Sequence, residues 1–139
     1  MTVLTVIGIL LGLLVVVMFV MGVNEHGKKH FRYELFNYEQ FARVGIPTVA
    51  LYIGHKWYAS TLVNNGDIYN GVIIMAIAVV ALLYVLYRNS KNTNFIFGFF
   101  GTLIQFIVFI PLSFLAVFAL MMLFAALSGT RPVYNLNSK

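Results

Sequence analysis

The chain has 139 residues, 61% of them apolar and only 9% charged, with a net charge of +5 and a mean hydropathy of +0.91. A soluble domain runs near 25% charged, and one of this size leaves roughly a third of its unfolded surface exposed, so lipid must be the solvent for most of this sequence. The basic excess suits cytoplasmic loops beside anionic headgroups rather than a nucleic acid, since no basic face is free of apolar spans, and the absence of cysteine excludes disulfides, thiolate nucleophiles and cysteine-held metal centres.

Residues 3–23 form an uncharged apolar run of 21 residues, long enough to span a hydrocarbon core. A cleaved signal peptide would need a basic start and a small-residue cleavage site. Met1 and Thr2 carry no charge and the run ends in Met21-Gly22-Val23, so an uncleaved transmembrane helix is expected. Gly8 and Gly12 make a G-x-x-x-G pair, a surface another helix could approach closely.

Residues 24–45 follow as a basic cytoplasmic connector. Phe31, Leu35, Tyr38 and Ala42 recur at i, i+4, i+7 and i+11, which predicts a short amphipathic helix lying on the membrane. Lys28, Lys29, Arg32 and Arg43 would meet the anionic headgroups of the inner leaflet. In a continuous helix His26, His30 and Glu34 would stack two imidazoles and a carboxylate on one face, a spacing compatible with metal. Gly27 disfavours helix within that motif. Solvated side chains are the competing account, and no metal or other cofactor is expected.

Residues 46–63 have Pro47 at a tolerated helix-start position and a turn signal after them, but His55 and Lys56 fall in the middle. A lysine at the bilayer centre costs about 2.5–3.5 kcal/mol. A spanning helix is the reading adopted, with a tilted or interfacial helix as the alternative. His55, Lys56 and Tyr52 form the candidate intramembrane polar site. Against it stands an interfacial anchor belt made by Lys56, Trp57 and Tyr58.

Residues 69–87 predict a third transmembrane helix, and 88–94 a polar basic loop. Phe95–Leu127 then runs 33 residues without a charge. As one helix it would be about 50 Å long against a core of about 30 Å, so a single helix kinked at Pro111 is expected. Gly98 and Gly101 offer further close-approach positions. Residues 128–139 complete the chain as a polar tail.

The sum is an all-α membrane bundle of about four transmembrane helices in one domain. The positive-inside rule sets the N-terminus outside and the first and third loops in the cytoplasm, consistent with a bacterial inner membrane. Three-span and five-span counts move the C-terminus inside but leave the N-terminus outside. No span contains Asp or Glu, which disfavours proton relays, and neither a phosphate cradle nor a nucleophile–base–orienter set is visible. The expected role is a non-catalytic accessory or assembly subunit whose partners are lipids and other transmembrane helices, from a larger complex or a second copy. An immunity or exclusion protein that binds a toxin or competitor is one alternative. A small transporter or lipid-handling protein using His55 and Lys56 is the other.

Overall fold

Apolar runs of 20 residues and more satisfy their backbone groups in lipid by forming helix. The computed structural model, which describes residues 2–129, accordingly contains α1 (Val3–Phe31), α2 (Tyr38–Val63), α3 (Tyr69–Asn92) and α4 (Phe95–Leu127), with no strand among the described residues. Three of them, α1, α3 and α4, are long and apolar enough to cross a membrane; α2, which carries His55 and Lys56, is not that apolar. Most of the polar tail, from residue 130 on, lies outside the described residues.

The connector departs from its expected form. No separate amphipathic helix exists, because α1 continues to Phe31 and α2 already begins at Tyr38. Phe31 therefore closes one helix, Leu35 is fully buried in the link, and Tyr38 opens the next helix exposed to its surroundings. Arg32 causes the break by taking a left-handed conformation (φ 52°). Its N–H bonds the Lys28 carbonyl, and the N–H of Tyr33 bonds that of Gly27, closing the helix end. Gly27 lies inside α1 after all. A Cβ there would stand 2.5 Å from the Tyr33 carbonyl oxygen, so glycine is what lets the chain fold back. Asn24 then clamps the link, its amide donating to the Phe36 carbonyl (2.7 Å) and accepting from the Phe36 N–H (2.8 Å). Asn37 caps α2 by accepting from the Gln40 N–H.

Two more boundaries shift. Pro47 is interior to α2 rather than at its start, and Thr48 turns its hydroxyl back to the Val44 carbonyl one turn away. The segment 88–94 is not a loop: α3 runs to Asn92, leaving only Thr93 and Asn94 as the link. The Thr93 hydroxyl and N–H both bond the Asn89 carbonyl, and Asn94 caps α4 through the Phe97 N–H, so two residues suffice for the reversal. At Pro111, α4 stays one helix across the proline. The neighbouring Ser113 hydroxyl bonds back to the Phe109 carbonyl.

Helices α2, α3 and α4 pack together, and small residues set their crossings. Where α2 meets α3, a Cβ on Gly71 would lie 2.8 Å from the Tyr58 nitrogen and 2.9 Å from the Gly54 carbonyl oxygen, so the backbones touch. Gly45 of α2 meets Ser113 of α4. Val44, Val85 and Phe109 fill the centre, with Phe36 and Phe41 edge-on to the Phe109 ring at 5.4 and 5.3 Å. Such packing is the driving force available in lipid, where apolar burial alone contributes little. α1 is different. Its C-terminal end touches α4 through His26 and Phe31 against Phe97, while residues 3–19 are exposed all round.

Candidate functional site

The end of the molecule where α1 gives way to α2 and α3 to α4 holds a network of buried amides and hydroxyls. Asn89, fully buried near the end of α3, is its hub. Its Oδ1 accepts from the Tyr33 hydroxyl (2.8 Å). Its Nδ2 donates to Thr102 Oγ1 (2.9 Å) and to Gln105 Oε1 (2.8 Å) on α4. Gln105 in turn donates to the Leu35 carbonyl in the link, and Thr102 donates to the Gly98 carbonyl. Gln40 on α2 donates to the Tyr33 hydroxyl, while its own Oε1 is buried without a partner. The link and three helices are thus tied by side chains that each serve several partners. In a low-dielectric interior such a network is costly to break and specifies one arrangement.

The network ties the link to the helices through side-chain hydrogen bonds. Its members are the amides of Asn89, Gln105 and Gln40, the Thr102 hydroxyl and the Tyr33 phenol, and among the described residues no carboxylate, imidazole or ammonium bonds to them. Two glycines let it form. A Cβ on Gly98 would strike the Ser90 backbone nitrogen at 2.6 Å, and one on Gly101 would collide with the Leu35 side chain.

Beside the network lies an open groove of about 1040 Å³ between α1 and α4, floored by Phe36 and Phe41. Leu13 and Val17 line one wall, and Ile107 and Leu112 the other. Asn37 and the Tyr38 hydroxyl are the polar groups in its lining.

The sequence-derived candidates are distributed otherwise. His55, Lys56 and Tyr52 are all exposed on α2, outside any enclosed site. Lys56 Nζ stands 5.6 Å over the Tyr52 ring, which itself packs edge-on to Phe114. The His26 and His30 rings do come together, their centroids 4.3 Å apart and their planes tilted by 40°, but Glu34 lies past the break at Arg32 and pairs with Lys28 instead. Among the described residues no three His, Asp or Glu side chains converge as a metal would require. Arg43 pairs with Glu39 one turn earlier, an exposed ion pair of small energetic weight. Lys29 and Arg32 stand exposed at the same end. Gly8 and Gly12 face open space.

Asn89, Gln105, Tyr33 and Gln40 are absent from the sequence-derived candidates. Gln105 carries a signal, being the one amide in the 33 residues of α4; a lone amide in so apolar a run demands a partner. Asn89 carries none, because it is indistinguishable from its solvated neighbours in a polar stretch. No protein-family model, curated protein or solved structure matches this chain.

Proposed function

We propose that this protein is a non-catalytic accessory subunit of a membrane assembly, in which α2–α4 form the anchored body and α1 is the helix that engages another transmembrane helix. One observation carries the reading. The seventeen residues 3–19 are exposed, and a Cβ added at Gly8 or Gly12 would meet nothing within 4 Å beyond the helix's own backbone. Elsewhere in this molecule the glycines in helix crossings lie against a neighbouring backbone or side chain. A close-approach pair with no partner within its own chain suits a partner supplied by another chain. The bundle's interior polar groups hold helices rather than transform a substrate, which favours a role without catalysis. Extraction in mild detergent followed by mass spectrometry tests this: a stoichiometric polypeptide partner, or a second copy, is expected. Recovery of the chain as a lone monomer from native membranes overturns it.

The same reading takes α2 as a fourth span. It lies along α3 in antiparallel register, so it shares that helix's depth, and the Lys56 stem lets its ammonium reach toward the interface. The N-terminus is then outside and the connector cytoplasmic, in a bacterial inner membrane. Cysteines introduced singly at Lys29 and Asn65 should label from opposite sides of the membrane. Labelling from the same side refutes the spanning α2.

A further inference from the structure

The groove between α1 and α4 has two unlike ends. Its lining runs on α1 from Leu13 to Met21 and on α4 from Ile107 to Ala116, about 12–14 Å along each helix axis. A bilayer's hydrocarbon core is about 30 Å thick, so the groove has the depth of one leaflet. A spanning helix seated there would find no groove wall over the other half of its length. The shallow end is marked by Asn37 and Tyr38, beside the end of the molecule that gathers six basic residues against three glutamates. Lys28, whose exposed ammonium also pairs with Glu34, lies on the same helical stripe of α1 as Leu13, Val17 and Asn24, at i+15, i+11 and i+4 from them. An uncharged wall one leaflet deep beneath a cationic rim has the charge and length pattern of a phospholipid.

We infer that this groove seats the acyl chains of one anionic phospholipid from the connector-side leaflet, with its phosphate held at the Lys28–Lys29 end. The inference stands apart from the role proposed for Gly8 and Gly12, since that pair points about 130° around α1 from the groove-lining stripe. A bound lipid would fill the space between α1 and the bundle and fix the angle at which α1 is displayed, leaving the glycine face free.

Native mass spectrometry of the full chain with added phosphatidylglycerol or phosphatidylethanolamine tests it. One phosphatidylglycerol should be retained per chain, in preference to phosphatidylethanolamine. Lys28→Gln with Lys29→Gln should lower that preference by about thirtyfold, taking the usual contribution of a basic residue near an anionic surface. Val17→Trp and Leu112→Trp, which fill the groove, should abolish retention, whereas Phe118→Trp on the exposed side of α4 should not. Equal retention in all three tryptophan variants marks the lipid as non-specific annular lipid and overturns the proposal. So does a preference that survives the double glutamine change, a surface alteration that leaves the bundle intact. A single cysteine at Val17 that cross-links to a polypeptide would show a helix in the groove and overturn it equally.

Discussion

Asn89→Leu should destabilise the protein by about 2–3 kcal/mol, read by thermal or denaturant unfolding in a mild detergent. The substitution keeps the branching at Cγ, adds some bulk and removes the hub, leaving the Tyr33 hydroxyl, the Thr102 hydroxyl and the Gln105 carbonyl oxygen without their shared partner. A single orphaned buried polar group costs about 1–3 kcal/mol, and interhelical bonds in membranes fall toward the low end because the unfolded state also finds partners. Several groups lose their partner at once here, which sets the expectation above the single-bond value. Gln105→Leu alone should cost less, since it frees one amide N–H of Asn89 and the Leu35 carbonyl. The two together should cost clearly less than their sum, because they share a bond. An additive pair, or a neutral Asn89→Leu, would mean that the network does not hold the link to the helices.

Gly98→Ala should be the most damaging of the single-methyl additions. The new Cβ would stand 2.6 Å from the Ser90 nitrogen and 2.9 Å from the Asn89 carbonyl carbon, both backbone atoms. No rotamer change relieves a clash with backbone, so the α3–α4 turn must open. Overpacking costs typically 1–3 kcal/mol, and the upper end, about 3 kcal/mol, is expected where backbone must move. The same change at Gly8 or Gly12 meets open space and should leave unfolding unchanged or shift it slightly upward, since alanine favours helix over glycine. Four helical glycines thus divide into two kinds: Gly98 and Gly101 close this molecule, and Gly8 and Gly12 are left open on its surface. If Gly98→Ala unfolds like the native chain, α3 and α4 do not approach as closely as described.

The all-helical character and the three strongly apolar helices were legible because composition and run length report on lipid directly, whatever the tertiary contacts. Boundaries were legible only where charge and apolarity change together. Residues 88–94 look like a loop by polarity, yet α3 carries helix through Arg88–Asn92 because Asn89 is buried and bonded on every side. The connector failed for the opposite reason. Phe31, Leu35, Tyr38 and Ala42 do fall at helical spacing, but periodicity cannot see that Arg32 turns left-handed or that Leu35 fits only against a bare Gly101. Pro47 has the local signature of a helix start, yet α2 begins nine residues before it, behind an Asn37 cap. The site residues divide in the same way. His55 and Lys56 stand out in sequence because charge is conspicuous in an apolar run, but both lie on the exposed face of α2. Asn89 and Gln105 matter because they meet across 16 positions of sequence, a pairing that composition cannot show.

If α1 presents its glycine face to a partner from another chain, isoleucine at Gly8 and Gly12 should remove that partner. The bulky branched side chains find free space in the isolated chain, so folding and membrane insertion should be unchanged. Close approach of a second helix should be blocked. The measurement is partner retention after mild-detergent extraction, quantified by mass spectrometry for the native chain and the Gly8→Ile/Gly12→Ile variant side by side. A folded variant that has lost the stoichiometric partner is expected. A variant that keeps its partner in full would contradict it, and would leave the glycine face of α1 as lipid-facing surface.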